Sequence, residues 1–264
     1  MIITKQFIYI HRPKTGGSFV TDALLKIYDG KWNWLIHAKL ALLGEIRFTN
    51  RLGTLTINSN KHGGCNEIPQ KYHGKNIVST IRNPFDYYVS QYEFGWWKRK
   101  NWWKYYSKVD HFNERFASFP NISFTQFMEL MTAVFNKGYH KDFYNENAAG
   151  RYTAEFVQDY FYQPAAALAK LQDANNNEFD GQMHPVKFIF THQLNQQLHD
   201  YLLESGYPQQ TIDFILKKEK VLPQGKGRSE GQKWEKYYTP EMKELVRKKD
   251  RLLFELFPEF DAME

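Results

Sequence analysis

The sequence predicts an α/β fold, a short parallel sheet with helices on both faces, from three observations. An apolar run, Phe7–Ile10, stops at Arg12-Pro13 and passes through a glycine turn into a helical pattern at Ser18, Phe19, Ala23, Leu24 and Ile27. A second run, Asn76–Ile81, is continuous and rich in β-branched residues, as a strand buried on both faces requires. It stops at Arg82-Asn83-Pro84, where Asn83 suits an N-cap and Pro84 a first helical position. A third run, Val186–Phe190, leads into helical patterns from Asn195 to Ser205 and from Gln209 to Lys218. Strand followed by helix, repeated, is the order that a parallel sheet needs.

The chain has 264 residues, 42% of them hydrophobic, which suits one core and a single domain over residues 1–264. A net charge of +6 favours anionic ligands without singling out nucleic acid. The densest basic clusters, Lys98–Lys100 and Arg247–Arg251, read as solvated helix faces. Cys65 is the sole cysteine, which excludes an internal disulfide and a thiolate metal cluster. The first residues run straight into a strand, leaving no room for a signal peptide. No apolar run nears the roughly 20 residues of a membrane span. The expected location is cytoplasmic.

Between the first two junctions, a helical pattern continues through Leu40, Leu43 and Ile46, and Thr54–Ile57 alternates weakly as a short strand. Asn58–Gly64 is turn chemistry. The helix from Pro84 is expected to run well past Tyr92. An aromatic tract follows, Phe94, Trp96, Trp97, Trp102, Trp103, Tyr105 and Tyr106, whose rings can cap a core or line an acceptor pocket. Further helices are expected over Ile122–Val134, started by Ser123, and over Thr153–Leu171, interrupted at Pro164. Asn175-Asn176-Asn177 marks a loop. Leu222–Gly231 is a glycine-rich basic loop before the final helix, which Thr239 caps with Pro240 in its first position.

The first junction carries chemistry. With Ser18 as N-cap, the free N–H groups of the helix start and the helix dipole would face an anion at the strand's carboxyl end. Gly16 and Gly17 would let phosphate oxygens approach the main chain, and Lys14 adds a positive charge. A nucleotide-hydrolysing loop, G-x-x-x-x-G-K-[ST], places its lysine after the glycines; here Lys14 precedes them. Pro13-Lys14-Thr15-Gly16-Gly17-Ser18 instead resembles the 5′-phosphosulfate loop of sulfotransferases, P-K-T-G-G-[TS]. At the second junction, Arg82 through Tyr92 matches R-x-P-x-x-x-x-x-S-x-Y, the pattern with which those enzymes grip a 3′-phosphate. Two such junctions in the right order resemble the sulfotransferases that use 3′-phosphoadenosine 5′-phosphosulfate (PAPS).

That resemblance implies a P-loop-like, three-layer sulfotransferase fold, PAPS as donor and 3′-phosphoadenosine 5′-phosphate (PAP) as product. It assigns Lys14, Thr15, Gly16, Gly17, Ser18 and Phe19 to the phosphosulfate, and Arg82 and Ser90 to the 3′-phosphate. A basic C-terminal loop closes over the nucleotide in that family, which points to Lys226, Gly227 and Arg228, with Tyr237–Glu241 as the familiar helix start. Related enzymes carry a glutamate after the last strand; His192-Gln193 stands here instead. The base corresponds to His62, in Lys61-His62-Gly63-Gly64 where relatives read K-H-A-T, with His37 as the alternative. Lys14 would stabilise the departing phosphate. A sulfuryl group carries less charge than a phosphoryl group, so no catalytic metal is required, and no carboxylate stands beside the loop. The expected acceptor is a hydroxyl, ahead of an amine, of a carbohydrate or small molecule. Two readings from other classes stay open: a P-loop-like nucleotide kinase or NTPase, and a non-catalytic nucleotide or nucleic-acid binding module. The basic residues do not form the single stripe a nucleic-acid surface expects, and no membrane span is expected.

Overall fold

The computed structural model describes residues 1–31, 34–138, 149–173, 179, 181–221 and 229–263. In chain order the strands are β1 (Ile2–Ile3), β2 (Phe7–Ile10), β3 (Glu45–Asn50), β4 (Gly53–Asn58), β5 (Asn76–Ile81) and β6 (Val186–Phe190). The helices begin with α1 (Gly17–Ile27), α2 (Trp34–Leu43), α3 (Pro84–Phe94), the single turns α4 (Trp103–Tyr106) and α5 (Phe112–Arg115), and α6 (Phe124–Gly138). They continue with α7 (Arg151–Tyr160), α8 (Pro164–Lys170), α9 (Leu194–Glu204), α10 (Gln209–Ile212), α11 (Pro240–Lys249) and α12 (Arg251–Leu256). The chain divides into two compact units, Met1–Arg82 with His184–Gly227, and Asn83–Met183 with Arg228–Glu264.

The first unit holds a six-stranded sheet in the order β3-β4-β1-β2-β5-β6. Strands β2, β5 and β6 are parallel, in register from Phe7↔Asn76 to Ile10↔Ser79 and from Ile77↔Val186 to Ile81↔Phe190. The other joints are antiparallel, so the sheet is mixed and the expected parallel sheet is confined to β2-β5-β6. Two hairpins cause this. Thr4 turns the chain between β1 and β2, its Oγ1 accepting from the N–H of Gln6 (3.2 Å) and Phe7 (3.0 Å). Asn50 makes the β3-β4 turn, its Oδ1 accepting from the Leu52 N–H at 3.0 Å, and Gly53 supplies the positive φ of 117°. The expected helix through Ile46 ends at Leu43, where Gly44 goes left-handed with φ 74°, and Ile46 joins β3 instead. Phe19, Val20, Ala23, Leu24 and Ile27 of α1 form a buried stripe at helical spacing, packed in one core with Phe7 and Tyr9 of β2 and Leu198 and Leu202 of α9.

The second unit is helical. Asn83 Oδ1 accepts from the Phe85 N–H at 2.9 Å and Pro84 opens α3. The helix stops two residues after Tyr92, sooner than expected, because Gly95 takes a left-handed cap with φ 66°. Ser123 starts α6 through a reciprocal pair: its Oγ accepts from the Gln126 N–H at 3.2 Å, and its own N–H donates to Gln126 Oε1 at 3.0 Å. Pro164 separates α7 from α8. Thr239 Oγ1 accepts from the Met242 N–H at 3.3 Å and Pro240 opens α11, but α12 follows it, so α11 is not the final helix. The aromatic tract divides: Trp97 and Tyr106 are fully buried, Trp96 and Trp102 half-buried, and Trp103 exposed. The Asn175-Asn176-Asn177 loop lies outside the described residues. Among the described residues no helix is long and apolar enough to cross a membrane.

Candidate functional site

The parallel strands β2, β5 and β6 end side by side, and the loop between β2 and α1 crosses those ends. Threonine hydroxyls hold it there. Thr15, fully buried, places its Oγ1 2.8 Å from Thr80 Oγ1 and donates to the Arg12 carbonyl at 3.1 Å. Thr80 Oγ1 also meets Tyr9 Oη at 2.9 Å. At the end of β6, Thr191 Oγ1 lies 2.9 Å from the Thr15 carbonyl and 2.8 Å from the Ile81 carbonyl. Arg82 Nη1 donates to the Lys14 carbonyl at 2.9 Å, so the two motif-bearing turns are directly bonded. The loop is tied to every parallel strand and is set before any ligand arrives.

Backbone conformation explains the loop's composition. Lys14 is left-handed with φ 67°, and Gly16 follows with φ 98° as the cap of α1. The expected N-cap, Ser18, is instead the second residue inside the helix, because Gly16 already turns the chain. A side chain at Gly16 would also fall 2.7 Å from Leu194 Cδ2. At Gly17 the obstacle is different: a Cβ there would sit 2.5 Å from Nε2 of His11. Gly17 and Ser18, as first-turn residues, have no intrahelical acceptor for their N–H groups, which is what suits such a turn to an anion. Phe19 turns inward to the core.

His11, which the sequence reading passed over, lies against His62. It is buried, and His62 comes to it from the loop before β5. The rings lie 4.8 Å apart, with Nδ1 to Nδ1 at 3.1 Å. His62 Nδ1 is also 2.8 Å from the His11 carbonyl. A carbonyl only accepts, so Nδ1 of neutral His62 carries the proton and its Nε2 keeps the lone pair. His11 Nδ1 then faces that N–H as an acceptor, so His11 is protonated at Nε2, a buried atom with no hydrogen-bond partner among the described residues. Burial holds His11 well below the ordinary histidine value, and the charges of Lys61 and His62 add to it. Burial also lowers His62; its bond to the His11 carbonyl opposes this and Lys61 adds to it. His62 is nevertheless exposed at its outer edge, where a base must be reached.

The structure thus gathers Lys14 to Phe19, Arg82 and His62 around the carboxyl ends of β2 and β5. His37 falls within α2, and its side chain is outside the described residues. Ser90 lies two turns into α3, buried in the helical unit. Lys226, Gly227 and Arg228 lie outside the described residues. His192 and Gln193 form a short turn leading into α9. Besides His11, the sequence reading missed Thr80 and Thr191. Only His11 carried a signal, its place at the end of a buried strand. No protein-family model, curated protein or solved structure matches this chain.

Proposed function

We propose that this chain is a PAPS-dependent sulfotransferase built on the P-loop-like sulfotransferase fold. One observation carries the reading: His62, 51 residues away in sequence, is bonded by its Nδ1–H to the backbone at the root of the Lys14–Ser18 loop, with Nε2 free to take a proton. An anion cradle, a cation within it and an oriented neutral imidazole beside it are what sulfuryl transfer asks of a protein.

In this reading, Lys14 to Phe19 hold the 5′-phosphosulfate, and Arg82 with Ser90 takes the 3′-phosphate, as the sequence motif assigns. His62 Nε2 removes the proton from the acceptor hydroxyl. The new oxygen–sulfur bond forms as the sulfur–oxygen bond to the 5′-phosphate breaks, the electron pair leaving with PAP. Lys14 neutralises the charge that grows on that phosphate. Lys226, Gly227 and Arg228 are proposed to cover the nucleotide.

Calorimetry with PAP and with AMP tests the donor. PAP is expected to bind far more tightly, and Arg82→Ala to weaken it by about 2–4 kcal/mol; equal affinity for both nucleotides would overturn the assignment. His62→Ala is expected to lower kcat by about 10²–10⁴ with PAPS affinity kept, as for loss of a general base. Lys14→Met is expected to act on kcat more than on donor affinity.

A further inference from the structure

In the helical unit, residues 96–108 carry Lys98, Arg99, Lys100, Lys104 and Lys108 and no Asp or Glu. All five cations are exposed, and none has an ion pair with a described carboxylate. The segment is firmly seated. Trp97 and Tyr106 are buried beneath it, Tyr106 Oη donating to the Trp97 carbonyl at 2.5 Å and Trp97 Nε1 to the Tyr92 carbonyl at 3.2 Å. Lys100, Lys104 and Lys108 follow one another at four-residue intervals over consecutive short turns. Together with Lys98 and Arg99 they give this one short segment five exposed cations.

We propose that this strip is a docking surface for an anionic polysaccharide, a chain with a carboxylate or sulfate every one or two sugars. The sequence alone suggested a solvated helix face; the aromatic rings among the cations argue otherwise. Trp103 is 48% exposed and its indole offers an apolar plate for one pyranose face, while the exposed cations of the same segment meet the acidic substituents. The ring faces also decide between a glycan and a single-stranded nucleic acid. A nucleic acid wants several open faces in succession for its bases. Here Arg151 covers Trp96 at 4.4 Å, Lys98 lies over Trp97 at 5.0 Å, and Lys104 and Lys108 lie over Tyr105 at 5.0 and 6.0 Å. One open indole in a row of cations fits a sugar chain better than a stacked strand of bases.

The surface does not depend on the sulfotransferase reading, and its test uses neither PAPS nor turnover. Binding of the full chain to polygalacturonate, to neutral dextran of equal length and to oligo-dT is compared by titration at low and moderate salt. Polygalacturonate is expected to bind with an affinity that falls as salt rises, dextran not to bind, and oligo-dT to bind more weakly. The triple variant Lys100→Glu, Lys104→Glu, Lys108→Glu is expected to lose about 100-fold in polygalacturonate affinity, the sum of three charges near an anionic partner. Trp103→Ala is expected to lose about tenfold, as for one stacking platform. Should the triple variant fold poorly, Lys104→Gln alone is expected to weaken binding with an unchanged melting temperature. Equal or tighter binding of oligo-dT, or variants that bind polygalacturonate as the parent does, would overturn the proposal.

Discussion

Two titratable clusters, one in each unit, each centre on a buried side chain, His11 in one and Asp250 in the other, and differ in how their polar atoms are used. In the sheet unit, the His11–His62 pair leaves His11 Nε2 with no partner among the described residues and His62 Nε2 without its proton at an exposed edge. In the helical unit, Asp250 is fully buried and amply partnered. Its Oδ1 accepts from the N–H and the hydroxyl of Thr153 at 2.9 and 2.8 Å, and its Oδ2 from Tyr88 Oη at 2.7 Å. Burial pushes the Asp250 carboxyl up to about 6, against the pull of those three donors. Asp250 also lines a cleft with Met128, Met131, Gly150 and Leu245, so perturbation and concavity alone would have nominated it. Partner accounting separates the two. A group whose polar atoms are all engaged fixes the fold, and a group with one nitrogen held and the other open can do chemistry.

The largest effect expected from this contrast is on stability. Asp250→Ala strands the Thr153 and Tyr88 donors beside a new void and is expected to cost about 3–5 kcal/mol in urea unfolding. A cost under about 1 kcal/mol would remove Asp250 from its structural role.

The next effect is pH dependence, of opposite sign in the two units. Asp250, raised from 3.8 to about 6, contributes stability that is full below 3.8 and lost as pH rises through about 6, on the order of 3 kcal/mol in total. His11 and His62 are lowered in the folded state, so their contribution is present above the ordinary value of 6.5 and lost as pH falls below it. Below about pH 6 the two contributions therefore oppose each other: Asp250→Asn is expected to remove the limb that falls with rising pH between 3.8 and about 6, and His11→Phe the limb that rises towards 6.5, in melting curves across pH 4–9 (about the span of these groups). A variant that flattens the other limb would reverse the assignment.

Gly17→Ala sharpens the comparison from the site side. It is expected to cost about 1–3 kcal/mol by overpacking, and to lower turnover by displacing His11 and with it His62. The smallest effect is expected at Thr191→Val: about 1 kcal/mol of stability for the hydroxyl's bonds, with a measurable loss of PAP affinity as the loop loosens. Unchanged PAP affinity would mean that the threonine ties hold the fold without shaping the cradle.

Legibility in the sequence followed the range of the interactions. Strands β5 and β6 appear at their predicted bounds because β-branched and aromatic residues dominate both runs, β5 with its last four residues buried and β6 at the sheet edge with only Lys187 breaking the pattern. The starts of α3, α6 and α11 were equally plain, since each cap is a contact between residues two or three apart. Strand β3 was not, because its half-exposed Glu-Ile-Arg-Phe-Thr-Asn pattern takes its meaning only from pairing with β4. The loop and Arg82 were legible as motifs, and their mutual bond was not. His62 was singled out by its position in the motif, whereas the carbonyl that fixes its tautomer and the ring behind it belong to His11, a contact no local pattern encodes.

Gly17 and His11 also have a consequence for how such a chain can change. The barrier to a side chain at position 17 is the edge of one ring, His11 Nε2, Cδ2 and Cε1 at 2.5, 2.7 and 2.8 Å from where its Cβ would stand. The two positions are therefore bound by sign epistasis. Alanine or serine at 17 is harmful while histidine occupies 11 and becomes admissible only once 11 has shrunk. Shrinking 11 first removes the wall behind His62. Either order of substitution passes through a damaged intermediate, so the pair resists drift one residue at a time and would change only together.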